Sequence, residues 1–303
     1  MDPPRQGARA HQQRTVLLSE WLHTLIDLHT HTNQSDGTTA PEELVAAARA
    51  AGLNALAITD HDTFGGYLLA RPAALEQGLE LVCGIELSTR TARFPVHLLG
   101  YFPHSEPTPG FTNWLTEQHQ ARHERNLKLA AKLQGLRLDV TLEEAKALGR
   151  GVTGRVHFAR VMISKGYVHD IKDAFNRYLA EGAPAYVAME DVLLDEAIPR
   201  MREAGGLPVI AHPGRMRLGA DETEFIHRCA DRGLAGLEVI HSDHSLEEAL
   251  RYQRLAREFG LAMTGGSDFH GDNKPRLKLG FGYEGNVRVP DEWLQALRDL
   301  PRN

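Results

Sequence analysis

Two histidines, His29 and His31, stand two residues apart where a short apolar segment, residues 24–28, comes to an end. Such a segment is typical of a β-strand, and on a strand residues i and i+2 point to the same side. Both imidazoles can therefore reach one point, as a metal ion requires. Asp36 follows in a Ser-Asp-Gly turn and offers an oxygen ligand nearby. Taken alone, the pair is equally typical of two partly buried histidines beside a turn, so the rest of the chain has to decide.

Histidines and acids recur at or just beyond the ends of further apolar segments. These additional candidate metal ligands are His61, Glu86, His97, His212, Asp268 and His270. Taken singly, each has an ordinary explanation: His97 as a core histidine, Asp268 as a loop cap and Glu86 as a strand-end acid. Their joint placement is what favours a metal site. Together with the first three residues they make nine ligands, more than the roughly four to six that one ion takes and enough for two or three ions.

The types of these ligands narrow the chemistry. Imidazole and carboxylate without thiolate suit Mn²⁺, Zn²⁺ or Fe²⁺, and the sequence does not choose among them. Clustered divalent ions acidify water and stabilise both oxygens of an in-line displacement at phosphorus. The set therefore favours hydrolysis of a phosphoester by metal-activated water.

Alternating predicted strands and helices position these residues. We predict strands over residues 24–28, 53–59, 79–87, 94–102, 207–211, 236–240 and 261–265. We predict helices between them over residues 41–52, 66–77 (interrupted at Pro72), 194–204, 222–232 and 246–259. Such alternation predicts a parallel sheet. Seven such units suit a closed or nearly closed barrel, in which chemistry lies at the carboxyl ends of the strands. The fold class is thus α/β, a (β/α)7 TIM-like barrel.

The alternation of predicted strands and helices stops in the middle of the chain. Residues 104–189 are mostly helical and polar in pattern and predict an inserted helical cap domain, of a size at which a small domain can bury a modest core. Residues 21–103 and 190–303 then form the barrel, and residues 1–20 form a polar N-terminal tail.

Composition excludes several classes of protein. The 303 residues are 42% hydrophobic and 24% charged, which is ordinary for a globular protein. A net charge of −6 argues against a broad basic surface for long nucleic acid. The chain has no apolar run of membrane-spanning length and no signal peptide in its first residues, and nothing implies an obligate protein partner. Cys83 and Cys229 lie far apart in apolar contexts and predict reduced core residues of a cytoplasmic protein.

The motifs together resemble those of the PHP (polymerase and histidinol phosphatase) superfamily over about residues 24 to 285. The matching stretches are DLHTHT at 27–32, SDG at 35–37, TDHD at 59–62, GIE at 84–86, His97, AHPG at 211–214 and GSDFHG at 266–271. Within the superfamily, the pattern is most similar to stand-alone phosphoesterases of the nucleoside 3′,5′-bisphosphate phosphatase and 5′–3′ exoribonuclease type. Those also carry the cap and a Gly-Asp-Asn-Lys-Pro stretch like residues 271–275.

The resemblance implies a distorted seven-stranded barrel that holds a trinuclear cluster, commonly of Mn²⁺. Carried over residue by residue, the first ion is held by His29, His31, Glu86 and Asp268. Glu86 bridges to a second ion, which is completed by His97 and His212. The third ion is held by Asp36, His61 and His270. Some branches of the superfamily have histidine at the position of Asp36, and aspartate there is typical of the phosphoesterase branch.

Substrate contacts have weaker signals. Arg155 and His157 lie at a predicted helix start in the cap, where a helix N-terminus and a guanidinium both favour phosphate. The resemblance implies the same role, and the alternative is a solvated arginine and a packed histidine. Arg215, just after a His-Pro-Gly turn, is a second phosphate candidate, and His241 lies either in the pocket or on the surface. No dedicated general acid is identified.

We therefore expect a metal-dependent phosphoesterase that acts on small phosphorylated nucleotides or short RNA ends. Histidinol-phosphate phosphatase is the nearest alternative enzyme. An amidohydrolase-like C–N hydrolase also begins with His-x-His, but such sites usually recruit a lysine as bridging ligand, and here Glu86 ends the third strand. A non-catalytic metal or nucleotide sensor is disfavoured because the ligand set is complete.

Overall fold

A computed structural model of the protein describes residues 25–189 and 192–301. The predicted N-terminal tail lies outside the described residues. In the described part of the chain, strands form one sheet in the order β8-β7-β6-β4-β3-β2-β1-β9, with β5 beside β3. Their bounds are β1 Leu25–Asp27, β2 Leu53–Ile58, β3 Glu80–Arg90, β4 Pro95–Phe102, β5 Val192–Leu193, β6 Leu207–Ile210, β7 Gly236–His241, β8 Ala262–Gly266 and β9 Val289–Pro290.

Helices connect and cover these strands. Those of the barrel are α1 Pro41–Ala50, α2 Gly65–Gln77, α7 Leu194–Glu203, α8 Glu222–Asp231, α9 Leu246–Glu258 and α10 Glu292–Arg298. Those of the middle segment are α3 Pro109–Gly135, α4 Leu142–Ala147, α5 Arg155–Ser164 and α6 Ile171–Ala174, which continues as a π-helical turn over Phe175–Leu179. Among the helices of the described chain, none combines the length and apolar character that a membrane crossing needs.

Strand β4 runs against both of its neighbours, whereas β1, β2 and β3 are mutually parallel, as are β6, β7 and β8. The expectation of a wholly parallel sheet is therefore wrong for β4. Only residues 91–94 separate β4 from β3, and such a short loop can close a hairpin but cannot make a parallel crossover. Because of this reversal His97, near the start of β4 and opposite Ser88, lies at the same end as the carboxyl ends of the parallel strands.

The barrel closes where the end of β8 meets the end of β1. The amide of Leu28 donates to the carbonyl of Gly265 at 3.1 Å, and the amide of Asp268 donates to the carbonyl of His29 at 2.8 Å. The carboxylate of Asp27, which is fully buried, also accepts from the amide of Ser267 at 2.9 Å. The predicted distorted barrel of seven strands is confirmed, with β5 and β9 as two short additions.

The middle segment has a hydrophobic core of its own. Its buried residues include Leu129, Leu133, Val140, Phe158 and Met162, and they form a cluster separate from the barrel core. Helices α3 to α6 enclose this cluster, so the segment contains the modest core that its length predicts.

The predicted interruption of α2 at Pro72 is wrong, because the helix continues through it to Gln77. A proline inside a helix deprives the carbonyl four residues earlier of its donor. Here that residue is Leu68, whose side chain is 52% exposed, and Pro72 is itself exposed. Water can therefore serve the carbonyl on this face, and the helix is retained.

Candidate metal centre

The structure brings all nine predicted ligands together at one end of the barrel. His29, His31 and Asp36 follow β1, and His61 follows β2. Glu86 lies within β3 and His97 within β4. His212 follows β6, and Asp268 and His270 follow β8. Strands β1, β2, β6 and β8 thus deliver their ligands just beyond their carboxyl ends, as expected for a barrel of this class.

Tight backbone geometry holds these loops in place. His212 and Asp268 have positive φ angles of 28° and 57°, so each of these residues turns its loop sharply back over the barrel end. At Gly266 an added Cβ would lie 2.4 Å from the backbone nitrogen of His29, so only glycine allows the two loops to approach this closely.

The first group of converging atoms comes from His29, His31, Glu86 and Asp268, with ligand atoms all within 4.8 Å of one another. Nε2 of His31 lies 3.0 Å from Oε2 of Glu86 and 3.5 Å from Oδ1 of Asp268. Nε2 of His29 lies 3.2 Å from Oε2 of Glu86 and 3.5 Å from Oδ1 of Asp268. This is the same set that the resemblance assigns to the first ion.

The other oxygen of Glu86 faces a second group. Oε1 lies 2.9 Å from Nδ1 of His97 and 2.9 Å from Nε2 of His212. One carboxylate therefore presents one oxygen to each of two sets of imidazoles. This is the arrangement that a bridging ligand needs.

A third group surrounds Asp36. Its carboxylate lies 3.2 Å from Nε2 of His270 and 3.8 Å from Nε2 of His61. With His31, these residues form another set whose ligand atoms lie within 4.8 Å of one another. The first and third groups share His31, and the first and second groups share Glu86, so the three groups form one continuous cluster.

Charge and burial shift the titration of these groups in opposite directions. Burial alone would raise the pKa of Glu86, but the neighbouring histidines, His29 first among them, hold that pKa well below its usual value. Burial likewise opposes a low pKa at Asp268, where Lys274 and Arg215 bring the pKa well below normal. For His212 burial dominates and lowers the pKa to about 3. The centre thus favours ionised carboxylates beside an uncharged His212, the forms that bind metal.

Three buried atoms of this cluster have polar neighbours but make no hydrogen bond of good geometry. They are Nε2 of His31, Oδ1 of Asp36 and Nδ1 of His61. A buried polar atom without a partner costs about 1–3 kcal/mol, and all three belong to predicted ligands. A divalent cation would satisfy them, so the residues fit the metal that the sequence predicts.

Glu238, on β7, was missed as a site residue. It is fully buried, and it accepts a hydrogen bond from Nδ1 of His29 at 2.8 Å and from the backbone amide of His212 at 2.6 Å. Burial would raise its pKa, but His29 and His241 lower the pKa of Glu238 to about 2. An acid within a strand of otherwise apolar residues was the available signal.

Asp60 and Asp62 flank His61 in the sequence, but their carboxylates bond to residues other than His61. Asp60 accepts from the amide and hydroxyl of Thr32 at 2.7 Å each and so fixes the loop that carries Asp36. Asp62 accepts from the amide of Ser88 at 2.8 Å and pairs with Arg122 of α3. The first residue therefore organises a ligand loop, and the second ties the middle segment to the barrel.

A cavity of about 660 Å³, here called the inner cavity, opens over the cluster. Six of the nine predicted ligands line it: Asp36, His61, Glu86, His97, Asp268 and His270. Six cationic residues line it as well: Arg122, Arg125, Arg155, Lys172, Arg215 and Lys274. Both the barrel and the middle segment contribute to its walls.

The four predicted substrate residues have different placements. Arg155 and Arg215 line the inner cavity, and Arg215 also donates to Asp268 at 2.8 Å. His157 does not line it: the ring is fully buried, and its Nδ1 accepts from the amide of Gly154 at 3.1 Å at the start of α5. His241 is also buried behind the wall, with Nε2 3.3 Å from Oδ2 of Asp268.

Comparison with known proteins agrees with this geometry. Residues 27–190 match the PHP domain family. A 5′–3′ exoribonuclease of Haemophilus influenzae is 36% identical over 245 residues, which span 80% of this chain and 89% of that protein. The 3′,5′-nucleoside bisphosphate phosphatase of Chromobacterium violaceum is 35% identical over 250 residues, or 81% of this chain and 87% of that protein.

Two solved structures share the fold along most of the chain. One, from Chromobacterium violaceum, is described as an amidohydrolase with bound sulfate and no metal. It has a TM-score of 0.79 and 32% identity and covers 91% of this chain and 96% of that chain. The other, from Bifidobacterium adolescentis, is provisionally described as a metal-dependent phosphoesterase. It has a TM-score of 0.77 and 30% identity and covers 90% of this chain and 95% of that chain.

These matches define the class of protein: a hydrolase of phosphoester bonds that uses a centre suited to divalent metal ions. The chain belongs to the PHP family. The predicted family, barrel fold and enzyme class are confirmed.

Proposed function

We propose that this protein hydrolyses phosphate esters of small nucleotides, as a nucleoside 3′,5′-bisphosphate phosphatase, as a 5′–3′ exonuclease on short RNA, or as both. The observation that carries the proposal is the inner cavity itself. It places six candidate metal ligands and six cationic side chains around one space of about 660 Å³. That volume suits a ligand of nucleotide size, and the cations suit its phosphates.

The cationic side chains are distributed over both walls. Arg215 and Lys274 come from the barrel, and both lie against Asp268, at 2.8 Å and 2.6 Å. Arg155 and Lys172 come from the middle segment, which we propose is the inserted cap domain of residues 104–189. A phosphate between the two walls would therefore be neutralised from both sides.

Arg155 is held in a defined position. Its guanidinium lies 5.6 Å from the ring centre of Phe175 and 5.7 Å from that of Tyr186. It stands at the first turn of α5, and Gly154 and Val156 beside it also line the inner cavity. The helix N-terminus and the guanidinium are both favourable to phosphate, so we propose that Arg155 binds a substrate phosphate.

We propose that two or three divalent ions, Mn²⁺ in preference to Zn²⁺ or Fe²⁺, are held by the three residue sets described above. When bound, such ions supply an acidified water and neutralise negative charge at phosphorus. The chain does the rest: Arg155 and Arg215 orient the phosphate and offset its developing charge, and the cap excludes bulk water.

The relatives support the substrate class. One is named for nucleoside bisphosphate hydrolysis and another for exoribonuclease activity. Cys83 and Cys229 are buried free thiols, which is compatible with our proposal that the protein works in the reducing cytoplasm. Histidinol phosphate is the alternative substrate, and it would leave Arg155 and the ring of Phe175 without a nucleotide to contact.

The test is phosphate release and nucleotide product formation from adenosine 3′,5′-bisphosphate and a short 5′-phosphorylated RNA, with Mn²⁺ added. We expect turnover of at least one substrate, abolished in His29→Ala and lowered roughly tenfold to a hundredfold in Arg155→Ala. Arg254→Ala is the matched control, because Arg254 is exposed on α9 and does not line the inner cavity. Cleavage of histidinol phosphate alone would contradict the proposal.

A further inference from the structure

A second cavity, of about 760 Å³, is lined by residues that all lie outside the segment 104–189. We call it the outer cavity. Its walls include Arg93, Phe94, Met216, Arg217, Phe225 and Arg228, from the β3–β4 turn, the segment after β6 and helix α8. The cap residues that line the inner cavity do not line the outer one.

The outer cavity adjoins the inner cavity along the chain. Pro95 and Arg215 line the inner cavity, whereas their sequence neighbours Phe94 and Met216 line the outer one. Two separate loops therefore pass from one cavity to the other.

The outer cavity is lined by more arginines than acids, and one of these arginines, Arg232, pairs with Asp195 at 3.1 Å. Five arginines and three acidic residues line it. The ion pairs that Arg93 and Arg228 make, with Asp221 at 3.7 Å and Glu224 at 3.6 Å, are exposed, and such pairs contribute little. Within the described part of the chain Arg217 makes no ion pair.

Apolar surface lies between these charges. Phe94 is half-buried, and its ring centre lies 5.7 Å from that of Phe225 beneath it. Met216 and Leu218 are also partly buried at this wall. A flat apolar ring flanked by arginines is the combination that binds single-stranded nucleotides, with the base on the ring and the phosphate at the guanidinium.

We propose that the outer cavity binds the nucleotides that follow the first one when a short single-stranded oligonucleotide has its 5′ end at the metal centre. The inference rests on the proposed function, because it assigns a path to the substrate of that same centre. It gives the protein a contact that a mononucleotide cannot make. Arg217 binds a phosphodiester of the trailing chain, and Phe94 stacks on a base.

The experiment compares one substrate that fits the inner cavity with one that must extend beyond it. Steady-state kinetics with Mn²⁺ use adenosine 3′,5′-bisphosphate and a 5′-phosphorylated tetraribonucleotide. Arg217→Gln and, as a second variant on a regular helix, Arg228→Gln are compared with Arg254→Gln. We expect Arg217→Gln to raise KM for the tetranucleotide about fivefold to tenfold and to reduce the slope of log KM against log salt by about one.

The bisphosphate provides the internal reference for folding and for the metal centre. We expect its kcat/KM to change less than about twofold in both variants, because the first nucleotide occupies only the inner cavity. Equal losses on both substrates, or no loss on either, would overturn the inference. Wild-type turnover of the bisphosphate without the tetranucleotide would also overturn it while leaving the proposed function in place. If the wild type turned over neither substrate, the proposed function itself would be wrong, and the inference that rests on it would be wrong too.

Discussion

Glu238 accepts a hydrogen bond from Nδ1 of His29 at 2.8 Å, with both side chains fully buried. That bond places the proton on Nδ1 and leaves Nε2 as the nitrogen that faces Glu86 and Asp268. The same carboxylate accepts from the backbone amide of His212 at 2.6 Å. One acid on β7 therefore sets the orientation of one candidate ligand from β1 and of the loop that carries another from β6.

Replacing Glu238 tests this relationship. A glutamine retains the size of the side chain but removes the charge that favours the His29 orientation. We expect Glu238→Gln to weaken metal binding by about 10-fold to 100-fold, as is typical for residues that orient metal ligands. Metal content after dialysis against graded Mn²⁺ concentrations measures the effect without any substrate.

Glu222→Gln is the matched control for that experiment. Glu222 is another buried glutamate, but its partners are Tyr252 and Arg251, away from the cluster. We expect its metal affinity to equal that of the wild type. If both glutamine variants lost metal equally, Glu238 would have only a general role in stability.

The close approach of Gly266 to His29 predicts a steric effect. An added Cβ would lie 2.4 Å from both the nitrogen and the Cβ of His29, which is a firm backbone contact. We expect Gly266→Ala to lower the free energy of unfolding by about 1–3 kcal/mol, as overpacking does, and to reduce metal binding. Urea unfolding measures the first effect. Gly135→Ala should be neutral or stabilising, because open space surrounds Gly135 at the end of α3.

Asp62 and α3 connect the middle segment to the barrel. Arg122 pairs with the carboxylate of Asp62, and His119, one turn earlier, lies with Nε2 2.7 Å from the carbonyl of the same residue. We expect Arg122→Ala to lower stability by about 3 kcal/mol, because it leaves a buried carboxylate without its cation. We also expect a higher KM, because the middle segment, which forms one wall of the inner cavity, loses this contact with the barrel.

Thermal unfolding and steady-state kinetics check the Arg122 prediction together. Lys128→Ala is the control, since Lys128 is an exposed cation on the same helix. Should Arg122→Ala resemble Lys128→Ala in both measurements, the pair with Asp62 would not join the two parts of the chain.

Much of the fold was predictable from local signals. Apolar segments of strand length ended near histidines or acids, and most helices between them began with acids and were followed by glycines, so most element bounds agree within a few residues. The reversal of β4 was not evident, because the direction of a strand depends on the length of its connection. The shortness of the loop of residues 91–94 was the available signal that β4 reverses direction.

The site residues also divide into those with a local sequence signal and those whose role depends on distant contacts. His29 and His31 were recognisable because further histidines and acids recur at the ends of the other apolar segments, and only that joint placement favours a metal. Glu238 was not, since its role depends on a hydrogen bond to a residue 209 positions away. The environment of His157 was hidden for a related reason: the sequence shows a histidine at a helix start, but not that its buried Nδ1 accepts from the amide of Gly154, the residue before the helix.

The unpartnered atoms of the cluster predict stabilisation by metal. Nε2 of His31, Oδ1 of Asp36 and Nδ1 of His61 are buried and make no hydrogen bond of good geometry. A cation bound only by the folded state would satisfy these atoms and would shift the unfolding equilibrium by mass action. At 100 times its dissociation constant an ion adds about 2.7 kcal/mol, which for a chain of this size is about 4 °C in the unfolding midpoint. We therefore expect Mn²⁺ to raise the midpoint of chelator-treated protein by at least that amount.

His31→Ala should show a clearly smaller rise in the unfolding midpoint. His227→Ala replaces an exposed histidine on α8 and should respond like the wild type. If Mn²⁺, Zn²⁺ and Fe²⁺ all left the midpoint unchanged, the cluster would not be a metal centre.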